Sequence, residues 1–281
     1  MNARAAITVA GLLLLVPAAG AAAVCTKDDG PATGPLMGGN GPADFGAIPE
    51  ACGATDAVLR LRGALLVAST MPDYYGSIFA GATLRARYQL AARSTLSLAA
   101  DVFDYRYVNN GGLASHGASA GPATVAFHQT FLLGSETAAS LYARALVPLD
   151  TARENGVETG LELGAGARTG VGARWVVDGG LALAAPLDLV GGQAHLRLEP
   201  VALAEAWLRV KRWVALNAGV NVRVIAAPSF DLGTLVPRVG ARFAVRRRWW
   251  TAVLVELPIA GVDRTDLIAG VHIGYTPGWM P

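Results

Sequence analysis

Ala194-His195-Leu196-Arg197-Leu198-Glu199-Pro200 begins an alternating run that continues to Val210, turns at Lys211-Arg212-Trp213 and resumes through Ala226. In its first half, one set of alternate positions is apolar and consists of Leu196, Leu198, Ala202, Ala204, Ala206, Leu208 and Val210. The polar residues of the other set are His195, Arg197, Glu199, Glu205 and Arg209. Neighbouring side chains of a β-strand point to opposite faces, so the run predicts two antiparallel strands, each with an apolar and a charged face.

The turn between these two strands belongs to a pattern that recurs along the chain. Similar short segments with one or more Arg, most of them followed by Trp, occur at Ala92-Arg93-Ser94-Thr95, Ala173-Arg174-Trp175 and Arg246-Arg247-Arg248-Trp249-Trp250. We predict strands near 58–68, 77–92, 95–108, 121–133, 137–149, 157–172, 175–188, 194–210, 213–226, 235–247, 249–260 and 266–276. Short turns alternate with longer connections such as 109–120. Both termini therefore fall on the short-turn side.

The N-terminus has the layout of an export signal. Residues 1–23 contain Arg4, an apolar run from Ile7 to Val16 and the small residues Ala21-Ala22-Ala23. This pattern predicts a cleaved signal peptide. An uncleaved membrane anchor is the alternative, but the apolar run is shorter than the ~20 residues that a spanning helix needs.

The composition predicts a lipid-facing surface made of strands. Hydrophobic residues make up 53% of the chain and the mean hydropathy is +0.39. After residue 23, charges interrupt the apolar stretches at spacings of two, as in Val58-Leu59-Arg60-Leu61-Arg62. An exported chain of this kind, without a spanning helix, is typical of a membrane barrel. A soluble β-sandwich also alternates, but its strands cluster near about 5–6 residues and it needs no aromatic girdle.

These features together resemble bacterial outer-membrane β-barrel proteins as a broad, porin-like class, with no specific family indicated. The aromatic final strand Ala269-Gly270-Val271-His272-Ile273-Gly274-Tyr275 adds to the resemblance. The fold class it implies is all-β, a monomeric transmembrane antiparallel β-barrel of about 12 strands within residues 58–281. The implied location is the bacterial outer membrane with both termini periplasmic. The implied partners are outer-membrane lipid and the barrel-assembly machinery.

A Gly- and Pro-rich segment, residues 24–57, lies between the signal peptide and the barrel. It holds the only two cysteines of the chain, Cys25 and Cys52. In an oxidising compartment these two are expected to form one disulfide. Lipidation of Cys25 is the alternative, although Val24 before it is bulkier than lipoprotein processing prefers.

In such a barrel the charged strand faces would line the lumen. The predicted lumen-lining residues are Arg60, Arg62, Arg85, Arg87, Arg144, Glu158, Glu162, Arg168, Arg197, Glu199, Glu205, Arg209, Arg223, Arg238, Arg242 and His272. Arginine outnumbers the acids in this set, and rings of Arg favour anions. The predicted function is a passive channel with a basic lumen for small solutes, small anionic solutes among them. The alternative is a non-conducting structural or surface-binding barrel whose charges pair across strands.

A third interpretation, an outer-membrane lipid-modifying enzyme, has less support in the sequence. None of His116, His128, His195 and His272 has a Ser two residues away on the same strand face. We therefore predict no catalytic residue and, because Cys and His form no cluster, no metal site and no cofactor. The net charge is +2, from 23 basic and 21 acidic residues spread along the chain. This distribution predicts no nucleic-acid partner.

Overall fold

The computed structural model describes residues 52, 55–68, 75–110, 113–148, 157–190, 193–228, 230–246, 248–261 and 267–276. Over this part the chain is all β. Its strands are β1 (Asp56–Ala68), β2 (Tyr75–Ala91), β3 (Ser94–Asn110), β4 (Leu113–Ser119), β5 (Ala123–Leu132), β6 (Thr137–Val147), β7 (Val157–Val171), β8 (Trp175–Val190), β9 (Gln193–Leu196), β10 (Glu199–Lys211), β11 (Val214–Ile225), β12 (Asp231–Ala244), β13 (Trp249–Glu256) and β14 (Leu267–Tyr275).

Twelve of these strands form a closed antiparallel ring. The ring runs β1, β2, β3, β5, β6, β7, β8, β10, β11, β12, β13, β14 and returns to β1. The seam between first and last strand is continuous from Ala57 opposite Tyr275 to Leu65 opposite Leu267. The prediction of an antiparallel barrel of about 12 strands is confirmed.

The two remaining strands lie off the ring. β4 pairs with the far half of β3, from Asp104 opposite Ser119 to Asn110 opposite Leu113. The sequence pattern predicts a loop over 109–120, whereas the structure forms β4 within it. Tyr105, Tyr107 and Val108 are strand-forming residues that extend β3 beyond its pairing with β5, and β4 folds back on this extension.

β9 corrects the predicted single strand over 194–210. β9 and β10 pair with β8 in one register, since Leu196 faces Leu187 and Glu199 faces Ala184. The strand is interrupted at 197–198, opposite Pro186, which has no N–H to donate to the ladder. β9 therefore pairs with β8 and with no other strand of the described part. Its His195 is exposed and does not face the lumen.

The short and long connections segregate as predicted. Turns at 92–93, 133–136, 172–174, 212–213 and 245–248 lie at one end of the ring, which we call the short-turn end. Ala57 and Tyr275 are paired at this same end. In the β7–β8 turn, Gly172 adopts a φ of 63°, a left-handed conformation that favours glycine.

The outside of the ring is apolar. Exposed side chains along the strands include Leu61, Leu84, Leu98, Phe127, Leu141, Leu161, Leu163, Leu181, Leu183, Val239, Val253, Val271 and Ile273. At the short-turn end, Trp175, Trp213 and Trp249 are also exposed, at the level where aromatic girdles meet the membrane surface. Among the described residues, no helix has the length and apolar character needed to cross a membrane.

Candidate functional site

The inner face of the ring carries most of the charge of the barrel. Of the residues predicted to line the lumen, the structure buries Arg60, Arg144, Glu162, Arg168, Glu199, Glu205, Arg238, Arg242 and His272. It leaves Arg62, Arg85, Arg87, Arg197, Arg209 and Arg223 half-buried. The side chain of Glu158 lies outside the described part. The alternation that exposes leucine and valine on one face therefore directs these charged groups to the other.

The buried charges form ion pairs across strands. Arg60 Nη2 lies 3.8 Å from Glu256 Oε2, and Arg168 Nη1 lies 3.7 Å from Asp178 Oδ1. Arg238 pairs closely with Glu205. Leaving one partner of such a pair alone in a poorly hydrated interior is costly, so the pairing stabilises the charged lumen.

The pair between Arg144 and Glu162 is reinforced by a tyrosine. The two residues face each other on β6 and β7, and Arg144 Nη1 lies 3.3 Å from Glu162 Oε1. Tyr142 donates its hydroxyl to the same oxygen at 2.7 Å. The Tyr142 ring lies over Gly164, where an added Cβ would come 2.5 Å from the ring. Glycine at 164 therefore makes room for the ring inside the barrel.

A glycine also allows Arg62 to reach across a strand. Arg62 Nη2 of β1 lies 3.7 Å from Asp101 Oδ2 of β3, although β2 stands between them. At the intervening position a Cβ on Gly81 would lie 2.9 Å from Arg62 Nε. Asp101 also accepts a hydrogen bond from Thr83 Oγ1 at 2.5 Å.

At the long-connection end, a small charge network is partly exposed. Arg197 lies 3.0 Å from Asp188 and 3.4 Å from Glu199, and Arg223 lies 3.4 Å from Glu199. The side chains of Arg197 and Arg223 are each 26% exposed. Water therefore reaches this end of the charged interior.

At the short-turn end, the Asp56 carboxylate forms ion pairs with two arginines. Arg87 donates to Asp56 through Nε at 2.8 Å and makes a second, shorter bond through Nη2. Arg85 Nη2 lies 3.6 Å from the same carboxylate. The bidentate geometry is that of a strong guanidinium–carboxylate pair.

Two inward tryptophans lie at this end, and the sequence prediction missed both. Trp207 and Trp250 are buried, and the Arg242 guanidinium stands 5.7 Å and 3.7 Å from their ring centroids. Trp207 Nε1 donates to Glu205 Oε1 at 3.0 Å. Trp207 alternates with outward residues in the same way as Glu205 and Arg209 of β10, and this spacing of two could have predicted its inward position.

A second missed contact joins a serine to a histidine. Ser97 Oγ of β3 lies 3.3 Å from His128 Nε2 of β5, and both side chains are buried. The His128 ring stacks on Tyr142 with 5.6 Å between centroids. The sequence has no serine two residues from a histidine on one strand, but pairing of the neighbouring strands β3 and β5 brings these two groups together.

Two further predictions concern metal ions and the two cysteines. Among the described residues, no group of His, Cys, Asp and Glu is arranged to hold a metal ion. Cys52 is buried, whereas Cys25 and the predicted signal peptide lie outside the described residues. The disulfide between Cys25 and Cys52 stays a prediction.

Comparison with solved structures identifies the fold. An outer-membrane channel from Pseudomonas putida F1 superposes with a TM-score of 0.55 at 15% identity, over 85% of this chain and 100% of that chain. The translocator domain of the autotransporter NalP from Neisseria meningitidis gives 0.53 at 11% identity, over 80% of this chain and 88% of that chain. The chain has the outer-membrane β-barrel fold.

The KdgM porin, in complex with disordered oligogalacturonate, also superposes on this outer-membrane β-barrel, with a TM-score of 0.50 at 10% identity over 78% of this chain and 99% of that chain. No sequence-family model matches the barrel, and no curated protein does. The likeness is therefore one of architecture. Together with the apolar outer surface, it supports an outer-membrane location for the barrel.

Proposed function

We propose that the protein is a passive outer-membrane channel for small solutes, with a preference for small anions. The observation that carries the proposal is the inner face of a closed ring lined by arginines and their carboxylate partners. Among the described lumen residues, the arginines Arg60, Arg62, Arg85, Arg87, Arg144, Arg168, Arg197, Arg209, Arg223, Arg238 and Arg242 outnumber the acids Asp56, Asp101, Asp104, Glu162, Asp178, Asp188, Glu199, Glu205 and Glu256. Arginine-rich linings lower the electrostatic barrier for anions.

The fold supports the same proposal. A ring of twelve strands is wider than the eight-stranded barrels that side chains just fill, so a path for small solutes is compatible with its size. Two of the proteins that share the architecture are a channel and a porin. Ions would pass along the paired charges, with short side-chain movements exchanging one partner for another.

The orientation of the channel follows from its two ends. Outer-membrane barrels place short turns in the periplasm and longer connections outside. We propose that both termini are periplasmic, and that the network of Arg197, Glu199 and Arg223 faces the cell exterior. Solutes from outside would then meet this partly exposed arginine pair first.

The first test is single-channel conductance of the refolded chain in a planar bilayer, with the reversal potential measured in a salt gradient. Steady conductance with a reversal potential on the anion side is expected. In Arg197→Gln/Arg223→Gln the reversal potential should shift toward the cation side. The matched control is Arg93→Gln/Arg174→Gln, which removes the same charge from two exposed short-turn positions and should leave selectivity unchanged.

A non-conducting structural barrel is the second candidate, and a specific observation favours it. Most charged lumen side chains are buried, including Arg60, Glu162 and Glu256. A barrel filled by such pairs would be folded, resistant to SDS until heated, and silent in the bilayer. A folded but silent wild-type protein would therefore overturn the channel and support the structural barrel.

Lipid modification is the least supported of the candidates. Ser97 and His128 face the interior of the ring rather than the lipid, and Arg144 stands 5.5 Å from the ring on which His128 stacks. A serine nucleophile needs a base that a third group orients, commonly a carboxylate. Release of labelled fatty acid from phospholipid vesicles, lost in Ser97→Ala, would overturn this ranking.

A further inference from the structure

The geometry points to Trp207, Arg242 and Trp250 as the constriction that sets the conductance and the ion preference of the channel. We call these three residues the tryptophan constriction. Arg242 is its specificity-determining residue. The inference rests on the proposed channel function and deepens it, because it locates the step that limits ion passage at the short-turn end.

The three residues come from three strands but lie at one level. Trp250 is the second residue of β13, beside the turn at 245–248. Trp207 faces Val176, the second residue of β8. Arg242 stands between Ala215 on β11 and Ala252 on β13. Alanine on both sides leaves the space that the long guanidinium and the two indole rings occupy.

The packing of the group leaves little room for water. Trp207 is 0% exposed, Trp250 2% and Arg242 5%. The Trp250 ring lies against Gly274 of the next strand, where no side chain could be added without displacing it. On the inner side, Arg242 stacks 3.7 Å from the Trp250 centroid.

The group is continuous with buried apolar residues that span half of the ring. Val58, Val176, Ala215, Ala252 and Leu254 belong to the same cluster as the two tryptophans. β1 and β8, which supply Val58 and Val176, stand opposite each other in the ring of twelve. A hydrated ion that passes this level must therefore displace indole rings.

The Arg242 guanidinium, placed within these apolar residues, accounts for the expected preference for anions. A cation held over aromatic rings in a poorly hydrated environment is stabilised by their quadrupoles and exerts a field that water screens weakly. An anion crossing the constriction is attracted by that field and a cation is repelled.

The experiment compares single-channel currents of four variants in planar bilayers. Trp207→Ala/Trp250→Ala is expected to raise the conductance about threefold or more, because it widens the narrowest part of the path. Trp175→Ala/Trp213→Ala, which removes two exposed tryptophans of the same end, should leave it at the wild-type value. Arg242→Gln should shift the reversal potential toward the cation side. Arg246→Gln removes the same charge from an exposed residue in the turn that follows β12, and it should leave the reversal potential unchanged.

The outcomes separate this inference from the channel proposal. A silent wild-type protein with a conducting Trp207→Ala/Trp250→Ala variant would support the constriction and overturn the passive channel. A conducting wild-type protein whose tryptophan variant conducts no better than the control would overturn the constriction and leave the channel. If neither the wild-type protein nor the tryptophan variant conducts, both the constriction and the channel are overturned. Heat modifiability on SDS gels verifies folding, and Trp207→Leu/Trp250→Leu replaces the alanine variant if that one does not fold.

Discussion

Single residues in the lumen are matched to each other by volume. Tyr142 lies over Gly164, and a Cβ at that position would be 2.5 Å from the ring. We therefore expect Gly164→Ala to lower the free energy of unfolding by about 1–3 kcal/mol through overpacking. Urea unfolding of the barrel in detergent micelles, followed by tryptophan fluorescence, measures the change. Gly117→Ala is the control, because an added Cβ there meets nothing within 4 Å.

The origin of the Gly164→Ala effect can be checked with a second substitution. In a Tyr142→Ala background the ring is gone, so Gly164→Ala should cost much less than in the wild type. An equal cost in both backgrounds would show that backbone conformation, and not the ring, limits this position.

Charged residues in the lumen are matched by pairing. Glu162 accepts bonds from both Arg144 and Tyr142, so Glu162→Leu leaves a buried guanidinium without its carboxylate. The expected loss is about 3–5 kcal/mol in the free energy of unfolding. The double variant Arg144→Met/Glu162→Leu removes both charges and should recover most of that loss. If the double variant is as unstable as the single one, shape and not charge pairing dominates at this site.

At the scale of a strand, alternation assigns one face to lipid. Leu181 lies near the middle of β8 and is 62% exposed, whereas Tyr88 lies near the short-turn end of β2 and is 64% exposed. Leu181→Arg should destabilise the barrel in liposomes by about 2–4 kcal/mol, and Tyr88→Arg by about 0–1 kcal/mol. Equal costs at the two depths would contradict the placement of β8 across the bilayer.

At the scale of the molecule, closure of the ring removes unpaired strand edges. Deleting residues 267–281 removes β14 and leaves β13 and β1 with unpaired backbone groups facing lipid, each of which costs several kcal/mol. We expect this deletion to abolish the SDS-resistant, heat-modifiable form on gels. Deleting residues 107–116, which removes the far end of β3 and most of β4, should leave that form intact, because the pairing of β3 with β5 that closes the ring spans only Ser94 to Ala100.

Orientation is also a property of the whole molecule. A peptide tag at the C-terminus should be inaccessible to antibody in intact cells, and one inserted within 149–156, between β6 and β7, should be accessible. Permeabilising the outer membrane should expose the first tag as well. The opposite pattern would place the short-turn end outside and contradict the proposed periplasmic termini.

Period-two alternation was sufficient to predict the twelve strands of the ring and the separation of short from long connections, because these depend on local chain order. It did not predict β4 or the break between β9 and β10. Leu181 and Arg238 could be assigned to opposite faces from parity alone. Contacts between the lumen residues could not be predicted in this way. The meeting of Ser97 with His128, and of Arg242 with Trp250, depends on the register between neighbouring strands. The contact of Arg242 with Trp207, two strands away, depends also on the curvature of the closed ring.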